Sequence, residues 1–338
     1  MAEILFVSDR GGQLSPTGTP LFDIYRVGVD GLDAENITLG PAQKYFPPLL
    51  SPGGDRVVFD TDRVDCYNVW VMDVDGSALT QLTGGPTERC NEAPRWSPDG
   101  SMIAFTSSRE SIERSWEVYV MNADGSGQVN VSDNVGLEES SSDWPHGWSP
   151  DGRIVFHSFR SDTPPATYLV DPDGTDLEPM FASPGPYDPF WSPDGERVAY
   201  VHAQAGDRDI WVMDADGSGV TNLSDDPAND SFRYCETVGA VGAWVDPWSP
   251  DGTRLAFASD RSGNWDIFIM NADGTGLFQL TDDPGCDVFN GWSEDGSRIL
   301  FSSNRSGDWN VYVANVDGTG LFTVTEDPAN DRFATWLP

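Results

Sequence analysis

"WSPDGTRLAFASDRSGNWDIFIMNADG", residues 248–274, contains the pattern that decides the fold. An aromatic anchor is followed by a Pro-Asp-Gly turn and an alternating segment, "RLAFASDR". A short polar connector leads to a second alternating segment, "DIFIMNADG", and another Asp-Gly turn. A shorter "QLT" strand comes next. Period-two alternation closed by Asp-Gly is a hairpin signature, because Gly and Asp supply the positive-φ positions that tight turns between strands need.

The unit recurs along the whole chain. "WSPDG" stands at Trp96, Trp148, Trp191 and Trp248, "WSEDG" at Trp292, "LSPGG" at Leu50, and "WLP" begins at Trp336. Successive anchors are 46, 52, 43, 57, 44 and 44 residues apart, a propeller-blade period. Each unit reads as four short antiparallel strands, A to D, with A ending at the anchor. The strand-B segment occurs seven times, and its first copy, Ile4 to Arg10, has no anchor before it. The matching strand A lies at the far end, residues 332–337. The expected fold is therefore all-β: a seven-bladed β-propeller of four-stranded antiparallel blades, its ring closed by the C-terminal strand pairing with the N-terminal strand, in a single domain of residues 1–338. Pro94, Pro145, Pro189 and Pro247 all fall in strand A, as expected of an edge strand that can spare a donor.

These motifs, "WSPDG", "AFxSxR", "DIYVM(N/D)ADGSG" and "LT", resemble the TolB-type, WD40-like PD40 β-propeller repeat over nearly the whole chain. The resemblance implies a family that includes propellers of the bacterial envelope, propellers attached to serine peptidases, and some polysaccharide lyases. The TolB propeller itself is implied to have six blades and an extra amino-terminal domain. This chain departs on both counts, so the resemblance carries the fold and not a Tol-system role.

Composition narrows the partners. There are 55 acidic and 19 basic residues, a net charge of −36, and Lys44 is the sole lysine. Such a surface repels phosphate backbones, which excludes nucleic acid. No apolar run is long enough to span a membrane. No basic-then-apolar leader opens the sequence, and an extracellular or periplasmic protein is expected, its leader absent from this sequence. Cys66, Cys90, Cys235 and Cys286 allow three pairings or free thiols. Cys66 with Cys90, and Cys235 with Cys286, join neighbouring loops on one face, and bridges there imply an oxidising compartment.

Tight A–B and C–D turns share one face, whereas B–C and D–A connections share the other and vary widely. The longest run from Ser132 to Gly147 and from Ser224 to Val245. Recognition is expected on that variable face. Its aromatic candidates are Trp116, Trp265 and Trp309 before strand C, and Trp144, Tyr187, Phe232, Tyr234 and Trp244 in the long connections, with His146 beside them. Five residues before their anchors stand Asp143, Asp287 and Asp331, expected near the channel mouth, where three carboxylates suit a calcium ion. "DPDGTD", Asp171 to Asp176, reads instead as a turn, because position twelve of a calcium loop would be Ala182. Arg10, Arg63, Arg109, Arg160, Arg261 and Arg305 end strand B and are expected to pair with the residues that open strand C, such as Asp23 and Asp266.

The functional reading is a monomeric, non-catalytic binding or scaffold propeller that recognises a protein or a carbohydrate through this face. Two alternatives stand beside it. One is a polysaccharide-lyase-like enzyme using His146 with Tyr187 or Tyr234; the other is the accessory propeller of a peptidase.

Overall fold

The computed structural model describes residues 2–15, 18, 20–38, 48–62, 66–84, 90–109, 115–132, 142–159, 166–181, 186–204, 206–232 and 245–338. Strands β1 (Glu3–Ser8), β2 (Asp23–Gly28) and β3 (Glu35–Asn36) come first. β4 (Leu49–Leu50), β5 (Arg56–Thr61), β6 (Asn68–Asp73) and β7 (Thr80–Gln81) follow, then β8 (Asn91–Trp96), β9 (Met102–Ser107), β10 (Glu117–Asn122) and β11 (Val129–Asn130). Next are β12 (Ser142–Trp148), β13 (Ile154–Phe159), β14 (Ala166–Val170) and β15 (Glu178–Pro179), and β16 (Tyr187–Trp191), β17 (Arg197–Gln204), β18 (Asp207–Asp214) and β19 (Thr221–Asn222). The last are β20 (Asp230–Ser231), β21 (Arg254–Ser259), β22 (Asp266–Asn271), β23 (Phe278–Gln279), β24 (Asp287–Trp292), β25 (Arg298–Ser303), β26 (Asn310–Asn315), β27 (Phe322–Thr323) and β28 (Asp331–Leu337).

They form seven four-stranded antiparallel sheets, the blades of a propeller. Six sheets use consecutive strands, and the seventh has the order β28-β1-β2-β3. The final strand thus pairs with the first, with Glu3 opposite Leu337 and Ser8 opposite Asp331. Contacts divide the chain into two compact units, residues 1–41 with 188–338, and residues 42–187. Among the described residues no helix is long and apolar enough to cross a membrane.

Within each unit the alternation along strand B explains the packing. In the 42–187 unit, Ile103 and Phe105 of β9 face Val58 of β5 and Val69 and Val71 of β6, in one cluster with Tyr119 and Met121. Ala104, between them, faces the other way, toward Ile154 and Phe156 of β13 and Val170 of β14. In the other unit Ile4 and Phe6 of β1 meet Leu300, Val311 and Val313. An aliphatic residue on one face and an aromatic one on the next, as in Ala104-Phe105 and Leu300-Phe301, lets successive sheets interdigitate. Burying one such Phe contributes roughly 1.5–3 kcal/mol.

The anchors add a polar link. The indole Nε1 of Trp96 donates to the Leu49 carbonyl (3.2 Å), Trp148 to Arg95 (3.1 Å), Trp248 to Phe190 (3.0 Å) and Trp292 to Pro247 (3.0 Å). Each acceptor lies one residue before the preceding anchor, so each of these four indoles ties its strand A to the one before it in the chain. The guanidiniums of Arg56, Arg197 and Arg254 lie over Trp96, Trp248 and Trp292 at 5.0, 4.9 and 4.8 Å.

The turn motifs are self-capping. In "WSPDG", the Ser97 hydroxyl donates to Asp99 Oδ1 (2.7 Å) and accepts from the Met102 amide (2.9 Å). The Ser97 hydroxyl, with the Ser101 amide and hydroxyl donating at 3.0 and 2.8 Å, holds the Asp99 carboxyl down to about 2. In "ADGSG", Asp124 Oδ1 accepts from the Ser126 amide (2.9 Å), and Gly125 sits at φ +87°. A Cβ at Gly125 would meet the Leu82 carbonyl at 3.0 Å, so close approach to the preceding sheet requires glycine as much as the turn does. The "DPDGTD" segment is the same turn, with Asp173 capping Thr175. The "LT" and "LS" hydroxyls cap strand C: Thr83 accepts from Val69 N (2.9 Å) and Thr281 from Ile267 N (2.9 Å).

Strand A is less regular than its sequence suggests. Register slips between Glu92 and Arg95, between Pro145 and Gly147, and between Phe289 and Gly291. Ala93, Asp188 and Phe333, each three residues before an anchor, are left-handed at φ 54°, 57° and 54°. These are β-bulges, which re-aim the residues on either side. Strand D, by contrast, is two residues long in every sheet.

Candidate functional site

The residue before strand C has a fixed backbone task. Its carbonyl accepts the amide that opens the following strand A: Tyr67 from Asn91 (2.8 Å), Trp116 from Asp143 (2.8 Å), Trp265 from Asp287 (3.0 Å) and Trp309 from Asp331 (2.7 Å). The candidate aromatics therefore sit at equivalent points of the repeat, with differing side-chain surroundings. Trp309 is buried, whereas Trp116 and Trp265 are partly exposed. In the 42–187 unit Trp116 meets Trp144 of β12, their ring centroids 5.5 Å apart and tilted by 32°. Trp116 also bridges in parallel to Ser142, two residues before Trp144, which holds the two backbones side by side. Two half-exposed indoles so held present a rigid apolar edge with little entropy left to lose on binding.

Glu92 occupies the position of β8 that Trp144 occupies in β12, four residues before the anchor. Burial, reinforced by Asp60, pushes its carboxyl up to about 8. Asp60 is fully buried and accepts the Ala93 amide at 2.9 Å. At neutral pH Glu92 is thus a proton-bearing group in a strongly acidic protein. Nothing in the sequence singles it out except its place in the repeat.

The remaining candidates are placed as follows. His146 is buried, and its carbonyl accepts from Arg95 Nε (3.2 Å). Phe232 is buried edge-on to Phe190, with centroids 5.6 Å apart. Tyr187, opening β16, is partly exposed. Tyr234, Trp244 and Cys235 lie outside the described residues, as do Arg63 and Arg160. Cys66 and Cys90 form a disulfide, and Cys286 is also disulfide-bonded.

The arginines that end strand B correct the sequence reading. Arg10, Arg261 and Arg305 do not pair with the openers of strand C. Each folds back over its own aromatic pair and reaches two aspartates of the D–A turn. Arg305 lies over Phe301 and Tyr312 (5.1 and 4.9 Å) and binds Asp283 (2.6 Å) and Asp287 (3.0 Å). Arg261 binds Asp226 (2.9 Å) and Asp230 (2.8 Å), and Arg10 binds Asp327 (3.1 Å) and Asp331 (2.9 Å). The strand-C openers turn to strand D instead, as in the Thr38 hydroxyl's bond to Asp23 (2.8 Å).

Asp287 and Asp331, taken from the sequence as cation ligands, are therefore fully buried clamp residues already held by a guanidinium. Burial pushes Asp287 up to about 6 against the pull of Arg305. Asp143 is fully buried as well, its carbonyl accepting the Thr106 hydroxyl at 2.8 Å. Among the described residues, no group of three His, Cys, Asp or Glu side chains is arranged to hold a metal ion.

The clamp also moves a boundary. The sequence places Ser224 to Val245 in one long D–A loop, but Asp230–Ser231 already form the start of strand A, with Asp230 opposite Ser259. Trp248 bridges to Leu255 and completes it. The extra length of this repeat is thus an insertion inside strand A. Its signal is legible: "DPANDSF" at Asp226–Phe232 duplicates "DPANDRF" at Asp327–Phe333.

Sheet order and closure define a seven-bladed β-propeller. Residues 235–338 match the TolB beta propeller domain, PD40. An uncharacterized protein of Agrobacterium fabrum is 35% identical over 45% of this chain and 52% of its own length. The Tol-Pal system protein TolB of Anaeromyxobacter dehalogenans is 33% identical over 60% of this chain and 44% of its own. The β-propeller domain of the Trilobed protease of Pyrococcus furiosus superposes with a TM-score of 0.65 over 96% of both chains at 13% identity, a likeness of fold. The last 104 residues of this chain thus resemble the TolB beta propeller domain, and the chain spans about half the length of the curated relatives it matches.

Proposed function

We propose that this chain is a non-catalytic binding propeller of the cell envelope that docks a protein partner on the edge formed by Trp116 and Trp144. The observation that carries the reading is this pair of half-exposed indoles on bridged backbones where a B–C connection meets a D–A connection. Aromatic anchors of this kind are enriched in protein interfaces. The net charge of −36 fits a partner whose contacting surface is basic. The Cys66–Cys90 disulfide fits an oxidising compartment, and kinship to TolB proteins fits the envelope.

The test is affinity purification from envelope extracts with the native chain and the Trp116→Ala/Trp144→Ala double variant, alongside a glycan array. A specific basic protein retained by the native chain and lost from an equally stable double variant is the expected result. Unchanged retention would move the site elsewhere. Glycan binding without a protein would make the partner a carbohydrate, and release of an ultraviolet-absorbing unsaturated uronide would make the chain an enzyme.

A further inference from the structure

Arg332, the second residue of β28, lies opposite Val7 in the closing strand pair and is partly buried. Its guanidinium carbon stands 4.7 Å over the Phe22 ring and 5.7 Å from that of Phe333. Among the described residues its side chain makes no hydrogen bond and no ion pair, and its buried Nε has no acceptor. The neighbouring acids are already committed. Both Asp9 oxygens accept from Asn330, from its amide at 2.7 Å and its Nδ2 at 2.9 Å. Asp327 and Asp331 are held by Arg10. A buried guanidinium N–H without an acceptor is costly, so its retention needs a reason.

The duplicated motif shows that the clamp is not the reason. Where "DPANDRF" has Arg332, "DPANDSF" has Ser231. There the same clamp forms: Asn229 donates to Asp260 at 2.8 and 2.9 Å, and Arg261 reaches Asp226 and Asp230. A serine serves equally at that position.

We propose that Arg332 anchors a subsite for a carboxylate-bearing ligand, whose oxygens supply the acceptor that the guanidinium lacks. Its planar fork matches a carboxylate, and the Phe22 face holds that fork in one orientation. A single negative charge suits the place better than a doubly charged phosphate, because Asp9 already acts on this guanidinium within a chain of net charge −36. The carboxylate comes either from a simple organic acid or from a uronic acid sugar. This subsite is independent of the indole edge proposed above.

The test reads the Arg332 Nε–H resonance in a ¹⁵N-labelled native chain, assigned by its loss in Arg332→Ser. Acetate and D-glucuronate are titrated in, with D-glucose and sodium chloride at matched ionic strength as controls. The expected result is a saturable shift with a carboxylate and none with glucose or chloride. Followed by the backbone amide resonances of Val7 and Phe333, Arg332→Ser should keep the native melting temperature and bind at least about tenfold more weakly, with Arg332→Lys in between. Saturation by glucuronate alone assigns a uronic acid, and equal saturation by both assigns a simple carboxylate. No shift, an equal shift with chloride, or melting lowered in Arg332→Ser as far as in Arg10→Ala would overturn the proposal.

Discussion

Replacing Asp331 by Ala probes the closing clamp directly. Asp331 is fully buried and 2.9 Å from Arg10, whereas Asp327, bound to the same guanidinium at 3.1 Å, has a side chain 33% exposed. Removing one partner of a buried, hydrogen-bonded ion pair costs about 3 kcal/mol, whereas removing a solvent-screened one costs about 1 kcal/mol or less. At roughly 2–4 °C per kcal/mol for a chain of this size, Asp331→Ala should melt some 6–12 °C lower and Asp327→Ala only about 2–4 °C lower. Denaturant unfolding of native, Arg10→Ala, Asp331→Ala and the double variant gives the coupling, expected at about 1.5 kcal/mol or more. Asp287→Ala should behave like Asp331→Ala, because Arg305 holds it in the same way. If Asp331→Ala and Asp327→Ala agree within about 0.5 kcal/mol, the clamp does not secure the closure and the reasoning fails.

Three further outcomes are expected. Glu92 titrates near 8 in the folded chain, above its ordinary value of 4.5, so its contribution is fully present below that ordinary value and is lost as pH rises through 8; Glu92→Gln should leave melting unchanged near pH 4 and raise it at pH 9. The turn carboxyls Asp99 and Asp251, held down to about 2, stabilise above their ordinary value and lose that effect as pH falls through 2, so melting curves of Asp251→Asn and the native chain should diverge at neutral pH and converge at the acid extreme. The Cys66–Cys90 bridge spans 24 residues, and replacing both by Ser should cost about 3 kcal/mol in urea unfolding while a reductant has no further effect on that bridge's contribution.

The blade count, turn chemistry and closure were legible because each follows from local pattern: alternation fixes strands, Asp-Gly fixes turns, and the unanchored Ile4–Arg10 segment required a partner strand. The arginine contacts were not, because Arg10, Arg261 and Arg305 project past the strand ends, and a long side chain's direction is not set by strand register. The duplicated "DPAND" did contain the answer. Its two acids are four residues apart across a tight turn, close enough for one guanidinium to hold both. Asp230 and Ser231 were misread as loop because the anchor spacing counts residues and not pairings. The Glu92 shift comes from burial, with Asp60 of another sheet adding to it, and single-strand reading supplies neither. The bulges at Ala93, Asp188 and Phe333 carry no common residue type, so composition could not mark them.

The two-residue outer strands have a consequence for the protein at high concentration. Leu277, Phe278, Leu321 and Phe322 are solvent-facing at or just before β23 and β27, the kind of apolar border that ordinarily templates runaway accretion of neighbouring molecules. A rung or two of free amides per sheet gives an incoming polypeptide almost nothing to align with, and the mutual repulsion of heavily anionic particles keeps those borders apart. The molecule can thus wear greasy margins without cross-linking into fibrils.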